Sequence, residues 1–245
     1  MRVVFIADAH LVSPEDANYR LLVRFLNDLE GEVDALYIMG DLFDFWLGFP
    51  SNPFRQYDAI LNALENLVLH GCRLVYFEGN HDFHLGTIFS HRLKAEIHTG
   101  PAIETLQGKR LYLCHGDQIN KDDYLYRLLR YVLRAPPATA CLRFLPPSWA
   151  EKIRVLLQKD SKSGYMNKKC RWDYRQILTD FAKFMYIKKI DGLVTGHFHI
   201  AINEKLPESA FAILSLGDWM TQFTYGEMEE GELRLKSYSP RLTAP

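Results

Sequence analysis

The sequence has few cysteines, no marked excess of either charge and no long apolar run, and each shortage excludes a class of protein. Its four cysteines form no Cys-x-x-Cys pair, which argues against a zinc ribbon or a disulfide framework and favours a reducing compartment. The net charge of −1 over 245 residues indicates neither an acidic nor a basic partner. No apolar stretch approaches the ~20 residues that cross a bilayer, and the chain opens on a strand-like run rather than a charged leader. We therefore expect a soluble, cytoplasmic protein.

Short apolar runs that end in polar residues alternate with amphipathic helical patterns in the first part of the chain. The runs span residues 3–6, 35–39, 74–77, 111–114 and 193–194. Apolar residues at three- and four-residue spacings predict helices over 19–29 and 57–69. Four further strand patterns follow one another between residues 201 and 238. Strands that alternate with helices and then accumulate at the end predict an α/β (α+β) protein.

Residues 120–175 differ in composition from the rest of the chain. They carry 13 Lys and Arg against 5 Asp and Glu, and they are also rich in leucine. Two Pro-Pro pairs divide the segment into short helical patterns. We expect a single domain over residues 1–245, with 120–175 inserted as a helical cap that binds lipid or substrate. An amphipathic helix that merely packs on the core is the alternative reading of this segment.

Residues with metal-binding side chains follow all five apolar runs. In chain order the candidate ligands are Asp8, His10, Asp41, Asn80, His115, His197 and His199, and His81 directly follows Asn80. Ligands of α/β proteins bind in the crevice at the carboxyl ends of the strands. We therefore expect these side chains in one crevice, where the neighbouring glycines let the backbone approach a ligand closely.

Carboxylate, amide and imidazole groups without thiolates suit Mn²⁺, Fe²⁺ or Zn²⁺ in a catalytic site. Seven such side chains are too many for one ion that must keep an open position. They suit two ions that share a carboxylate and lie roughly 3.5–4 Å apart. Asp41 is the best candidate for the shared ligand, and Asp44 is expected to cap a helix or to orient a ligand.

The ordered pattern D-x-H, G-D, G-N-H-D, H-G-D and G-H-x-H resembles the calcineurin-like metallophosphoesterase superfamily. The resemblance implies a β-sandwich of two mixed sheets flanked by helices, and hydrolysis of a phosphoester by water activated between two metal ions. It implies that one ion is held by Asp8, His10 and His199, the other by Asn80, His115 and His197, and that Asp41 bridges them.

Within the superfamily, the chain is most similar to the UDP-2,3-diacylglucosamine pyrophosphohydrolase family of lipid A synthesis. The similar stretches are FIADAHL, DALYIMGDLFDFWLG, HGDQINKDDYLYR and SKSGYMNKK. The resemblance implies cleavage of UDP-2,3-diacylglucosamine at the α-phosphorus, which yields UMP and 2,3-diacylglucosamine 1-phosphate. It implies two divalent ions, for which we expect Mn²⁺, and peripheral association with the cytoplasmic face of the inner membrane. A basic, apolar cap suits a substrate with a pyrophosphate and two acyl chains.

The resemblance also assigns substrate and catalytic residues. Asp123, Ser161 and Lys168 fall where the family contacts sugar and phosphate, and Tyr165 stands where an Asn is common. Substrate contacts are also expected from Asn80, His81 and His197, which with Asp41 form the expected catalytic set.

His81 departs from the family pattern, because the best-studied members carry GNRD where this chain has GNHD, as in the wider superfamily. The histidine is expected to act near the leaving group as a general acid or electrostatic stabiliser, or to hold phosphate in place of the arginine.

Two alternatives remain open from the sequence. One is a calcineurin-like phosphoesterase that acts on a smaller phosphoester, such as a nucleotide. The other is a metal-binding interaction module without catalysis. Nucleic acid is not expected as a partner, because the apolar cap lacks the polar, base-stacking spacing of single-strand binders. The sequence implies no protein partner.

Overall fold

The structure, a computed structural model, describes residues 1–48, 54–122, 124, 131–132, 135 and 172–239. The cap expected over residues 120–175 therefore lies almost entirely outside the described residues. Arg127, Arg130 and Arg134, whose spacing in the sequence predicts one helical face of the cap, also lie outside the described residues.

The first sheet has six strands, in the spatial order β13-β12-β1-β2-β4-β6. Its strands are β1 (Arg2–Ile6), β2 (Ala35–Ile38), β4 (Arg73–Phe77), β6 (Glu96–His98), β12 (Thr224–Glu229) and β13 (Glu232–Ser237). The pairs β1–β2, β2–β4 and β4–β6 are parallel, whereas β12 pairs antiparallel with both β1 and β13. The carboxyl ends of β1, β2 and β4 therefore lie along one edge.

The second sheet has five strands, in the order β10-β11-β9-β8-β7. Its strands are β7 (Ala102–Leu106), β8 (Lys109–Cys114), β9 (Gly192–Thr195), β10 (Ala201–Lys205) and β11 (Ala212–Leu216). Strands β8, β9 and β11 run parallel to one another. The short strands β3 (Trp46–Leu47) and β5 (Asp82–Phe83) pair separately from both sheets.

The two sheets pack face to face, and helices cover their outer faces. The helices are α1 (Ala17–Asp28), α2 (Asp58–Leu69) and α3 (Tyr174–Ile187), with a 3₁₀ turn at Arg55–Tyr57 and a π turn at Ile88–Arg92. Side chains alternate along β1, so that Val3 and Phe5 pack between the sheets while Val4 and Ile6 pack in the cluster that includes α1 and α2. Burial on both faces explains why the interior positions of β1 and β4 form continuous apolar runs after an initial arginine.

Helix α3 covers the outer face of the second sheet. It begins after Asp173, whose carboxylate accepts a hydrogen bond from the Gln176 backbone N–H at 3.0 Å and so caps the helix. Its buried side chains Leu178, Ala182 and Met185 pack with residues of β8 to β11. The expected α/β fold of two mixed sheets with flanking helices is confirmed. Among the described residues, no helix is long and apolar enough to cross a membrane.

Candidate metal centre and active site

The carboxyl ends of β1, β2, β4, β8 and β9 bring the expected site residues to one edge of the sandwich. Backbone hydrogen bonds join neighbouring loops there. The Asp8 N–H donates to the Gly40 carbonyl at 3.1 Å, the His10 N–H to the Asp41 carbonyl at 3.0 Å, and the Gly196 N–H to the His115 carbonyl at 2.8 Å. These bonds hold loops from both sheets in fixed register around the crevice.

Among the described residues, three groups of candidate metal ligands form in the crevice, and two of them contain the expected ligands. One contains Asp8, His10 and His199, and the other contains Asp41, His115 and His197. Within each group, the ligand atoms lie within 4.8 Å of one another. Asn80 belongs to the second group, because its Oδ1 lies 3.1 Å from His115 Nε2 and 3.0 Å from His197 Nδ1.

Asp41 lies between the two groups. Its Oδ2 is 3.7 Å from His10 Nε2 in the first group and 3.4 Å from His115 Nε2 in the second. This is the position that a shared ligand requires. The division matches the one implied by the family resemblance, and metal binding by these residues stays a prediction.

The backbone of the site is strained at five candidate ligands. Asp8, His10, Asp41, His197 and His199 all have φ between 42° and 70°, in the left-handed region that residues other than glycine rarely adopt. Such strain persists only where the surrounding structure enforces it, and it concentrates at functional sites.

Glycine is required beside the ligands by close packing. A Cβ on Gly79 would lie 2.0 Å from Asp41 Oδ1, and a Cβ on Gly40 would lie 2.5 Å from His115 Nδ1. Any side chain at either position would displace a candidate ligand. The G-D and G-N-H-D patterns therefore have a steric reason in this fold.

His81 has its orientation fixed by two hydrogen bonds. Its backbone N–H donates to Asp41 Oδ1 at 2.9 Å, and its ring Nδ1 lies 2.8 Å from the Asp44 carbonyl. Because a carbonyl oxygen can only accept, Nδ1 carries the proton and Nε2 is the atom left for the crevice. The ring meets that of His10 edge-on, with 4.7 Å between centroids.

Asp44 is not followed directly by a helix in the described part of the chain, and the expectation that it caps a helix stays a prediction. Its carboxylate forms a third group of potential ligands with His10 and His81. The other expectation, that Asp44 orients a ligand, stays a prediction.

Asp82, the last residue of the G-N-H-D pattern, supports the candidate ligands in a way that the sequence did not indicate. Its buried carboxylate accepts four short hydrogen bonds. At Oδ1 the donors are the N–H groups of Asp41 at 2.9 Å and Gly79 at 3.0 Å, and at Oδ2 they are the Leu42 N–H and the Tyr76 hydroxyl, both at 2.6 Å. Asp82 thereby joins the loop of Asp41 to the loop of Asn80.

The loop after β11 was missed altogether. The Trp219 N–H donates to the Asp8 carbonyl at 3.1 Å, and the Gln222 side-chain amide donates both to the His199 carbonyl at 2.9 Å and to Asp218 Oδ2 at 2.6 Å. The loop therefore supports two candidate ligands of the first group. A signal was available, because Gly217-Asp218 follows an apolar run as Gly40-Asp41 does.

Burial and crowding shift the pKa values of the site in opposite directions. Burial lowers the pKa of His197 to about 3, helped by His115, and burial also lowers the pKa of His10 and His199. These three rings are therefore neutral near pH 7, as metal ligands must be. Burial, together with the Asp41 charge, raises the pKa of Asp82 to about 7.

His115 and the two candidate carboxylate ligands show that the crevice favours positive charge. Burial opposes charge on His115, but the carboxylates of Asp41 and Asp8 overcome it and raise its pKa to about 10. Burial likewise acts to raise the pKa of Asp41, but His115 and His81 hold it well below its usual range. Burial keeps the pKa of Asp8 well above that range.

A divalent cation fits this arrangement. Asp8 Oδ1 and His10 Nε2 are buried and have no hydrogen-bond partner among the described residues, which is costly unless another group satisfies them. Both atoms point into the first ligand group, and the donors are the oxygen and imidazole nitrogen atoms that first-row divalent metals bind.

Of the expected substrate contacts, Asn80, His81 and His197 lie in the crevice. Asp123, Ser161, Tyr165 and Lys168 lie outside the described residues.

The sequence of this chain is similar to those of several known proteins. The calcineurin-like phosphoesterase family matches residues 1–201. A Nitrosococcus oceani protein named UDP-2,3-diacylglucosamine hydrolase is 33% identical over 81% of this chain and 79% of its own length. The protein of that name from Tolumonas auensis is 30% identical over 97% of each chain. A solved structure described as an archaeal phosphodiesterase is 15% identical, with a TM-score of 0.48 over 96% of this chain and 99% of that one.

Proposed function

The chain belongs to the calcineurin-like phosphoesterase family and is a metal-dependent hydrolase, and on that premise we propose that it hydrolyses UDP-2,3-diacylglucosamine. The bond cleaved is the pyrophosphate bond at the α-phosphorus, and the products are UMP and 2,3-diacylglucosamine 1-phosphate, as in lipid A synthesis. The assignment of this substrate rests on the name shared by relatives at 33% and 30% identity over most of the chain. The smaller phosphoesters that the sequence left open are compared in the experiment below.

The site uses two divalent ions, which we take to be Mn²⁺. Asp8, His10 and His199 hold one ion, Asn80, His115 and His197 hold the other, and Asp41 is shared. The position of Asp41 Oδ2, 3.7 Å from His10 Nε2 and 3.4 Å from His115 Nε2, supports this assignment. When bound, such a pair of ions supplies activated water and neutralises charge on the phosphoryl oxygens.

The protein groups around the ions bind and orient the substrate. His81 directs Nε2 towards the crevice, where it stabilises charge on the pyrophosphate or donates a proton to the leaving group, because its Nδ1 proton is engaged by the Asp44 carbonyl. Asn80 and His197 contact the phosphate from the other side of the crevice. Asp82 and the loop of Gln222 hold the ligands in position but do not touch the substrate.

The remaining contacts come from residues 120–175, which form a cap within a single domain. Asp123, Ser161, Tyr165 and Lys168 contact sugar and phosphate, and the leucine-rich part holds the acyl chains. The excess of basic and apolar residues in this segment supports that role. We further propose that the enzyme is cytoplasmic and associates peripherally with the inner membrane, where a diacylated substrate resides.

The experiment measures kcat/KM of the purified protein in Mn²⁺ on three substrates. They are UDP-2,3-diacylglucosamine in detergent, the same compound without acyl chains, and an aryl phosphodiester. We expect kcat/KM to be highest for the diacylated compound by orders of magnitude, since each buried methylene contributes about 0.8 kcal/mol. Lys168→Ala should lower the rate on both nucleotide sugars. Equal kcat/KM on all three substrates would reject the lipid substrate and favour a smaller phosphoester, and no turnover of any would reject catalysis.

A further inference from the structure

The last turns of α3 expose large apolar side chains. Phe184, Tyr186 and Ile187 are 47%, 52% and 79% exposed, although the opposite side of the helix is buried against the second sheet. Phe184 and Ile187 are three residues apart and therefore share one face of the helix. Apolar groups clustered on a helix face beside a functional site indicate an interaction surface more often than isolated ones do.

Basic side chains surround these apolar groups. The Lys188 Nζ lies 4.3 Å from the centre of the Phe184 ring, and the Lys121 Nζ lies 5.6 Å from it, so two ammonium groups flank one aromatic ring. Lys183 pairs with Asp180 at 3.0 Å, and Lys189 follows Lys188 on the exposed surface.

Among the described residues, cationic groups outnumber acidic ones on this face. The cations are Lys121, Lys183, Lys188, Lys189 and Arg110, and the acids adjacent to them are Asp122, Asp180 and Asp191. The Arg110 guanidinium donates to the Lys189 carbonyl, which holds it at the end of α3. The face therefore combines net positive charge with exposed apolar area.

Helix α3, which carries the face, extends to the candidate active site. Phe181, one turn before Phe184, lines a cavity of about 130 Å³ together with His115 and Asp117. At the start of the same helix, the Tyr174 ring packs on that of Phe198, between the candidate ligands His197 and His199. Lys121 is the second residue of the basic, leucine-rich segment 120–175, so the face includes a residue from the start of the expected cap.

We propose that this surface, which we call the α3 face (Phe184, Ile187, Lys121, Lys188 and Lys189), docks on a lipid bilayer that contains anionic lipids. The inference rests on the proposed function, because a diacylated substrate must be taken from a bilayer. The chemistry favours lipid over protein, since lysine is depleted at protein interfaces. Lysine stems instead cover apolar surface while their ammonium groups reach phosphate headgroups, and Phe and Ile enter the boundary between headgroups and acyl chains.

The test is co-sedimentation of the purified, Mn²⁺-loaded full chain with two kinds of vesicle. One is phosphatidylcholine alone, and the other contains about one third phosphatidylglycerol to provide the negative surface potential. We expect binding to the anionic vesicles that weakens as salt is raised. Equal binding to both vesicle types, or no binding to the anionic ones, would overturn the proposal.

Two double variants locate the surface. Lys188→Glu with Lys189→Glu reverses its charge, and Phe184→Ser with Ile187→Ser removes its apolar groups. We expect each double variant to weaken binding to anionic vesicles at least tenfold. For the charge reversal, this follows from a contribution of roughly fivefold from each lysine near such a surface. The matched control is Leu69→Ser, which removes a side chain that is 76% exposed at the end of α2. If the control weakens binding as much as the double variants do, the α3 face is not the docking site.

Hydrolysis assays distinguish a failure of the docking surface from a failure of the proposed function. In detergent, where no bilayer has to be bound, both double variants should hydrolyse UDP-2,3-diacylglucosamine at the unaltered rate, and in anionic vesicles they should lose activity in parallel with binding. Normal binding without hydrolysis in the unaltered protein would reject the substrate and support the docking surface. Normal hydrolysis in vesicles by variants that no longer bind would reject the surface.

Discussion

Replacing Asp82 should disconnect the loops that carry Asp41 and Asn80, because its carboxylate accepts hydrogen bonds from both. In Asp82→Ala, the N–H groups of Asp41, Leu42 and Gly79 and the Tyr76 hydroxyl all lose their acceptor in a buried site. Each buried donor left unsatisfied costs about 1–3 kcal/mol. Allowing for relaxation, we expect the free energy of unfolding to fall by about 5 kcal/mol.

Asp82→Asn should cost less, for a reason that the geometry supplies. An amide nitrogen at the Oδ1 position would face two backbone donors, those of Asp41 and Gly79. At the Oδ2 position it would face the Leu42 N–H at 2.6 Å and the Phe43 N–H only at 3.4 Å, while the Tyr76 hydroxyl can turn and accept. The second orientation should prevail, and the loss should be about 2–3 kcal/mol.

Urea unfolding of the metal-free protein measures the loss of unfolding free energy in Asp82→Ala and in Asp82→Asn. Tyr76→Phe is the matched control. Alone, it removes one hydrogen bond to a charged group and should cost about 1.5–3 kcal/mol. In the Asp82→Ala background it should cost almost nothing, because the hydroxyl has already lost its partner. Calorimetric titration should also show metal affinity reduced by roughly 10- to 100-fold in Asp82→Ala. The proposed role of Asp82 is contradicted if the free energy of unfolding of Asp82→Ala lies within about 1 kcal/mol of that of the unaltered protein. It is also contradicted if Tyr76→Phe lowers that free energy equally in both backgrounds.

Substitutions at three further residues test individual side chains of the site. Asp41→Ala should abolish turnover and lower the metal content together, because Asp41 lies between both ligand groups; metal analysis showing a full complement and substantial activity would contradict this. His81→Ala should keep its metals but lose a factor on the order of 10²–10³ in kcat, and His81→Arg should restore part of it if arginine can take over the phosphate contact. Gln222→Ala should weaken metal binding roughly tenfold in a titration, since its amide holds the His199 carbonyl, whereas Gln176→Ala on the exposed surface of α3 should not.

The strand ends could be predicted from sequence because two local signals coincide there. An apolar run such as residues 35–38 can be a strand buried on both faces, and a following Gly-Asp marks the point where the chain leaves the sheet. The order of such ends, together with the tendency of parallel strands to collect ligands at their carboxyl edge, was enough to group the residues around Asp41.

The supporting residues could not be predicted in the same way. Asp82 acts through backbone N–H groups of residues 41 and 42, far away in sequence, and Gln222 acts through the carbonyl of His199. Backbone donors and acceptors carry no sequence signature, so these contacts become visible only once the loops are placed. The left-handed φ of Asp8 or His199 is likewise enforced by tertiary packing and is not a preference of the residue itself.

Short strands at the sheet edges escaped the sequence patterns for a different reason. Strand β6 has three residues, and none of them is fully buried. In β7 partly buried and exposed positions alternate, and only Leu106 is fully buried. Strands of this length and polarity give no apolar run, and backbone pairing with a neighbouring strand defines them instead.

Hydrolysis in ¹⁸O-labelled water tests the central claim most directly. The purified protein, loaded with Mn²⁺, is given UDP-2,3-diacylglucosamine in detergent, and both products are analysed by mass spectrometry. Attack of water at the α-phosphorus places the label in UMP and leaves 2,3-diacylglucosamine 1-phosphate unlabelled, and this is the result that we predict. Label in the acylated sugar phosphate, or no cleavage while an aryl phosphodiester is hydrolysed, would contradict the proposed reaction.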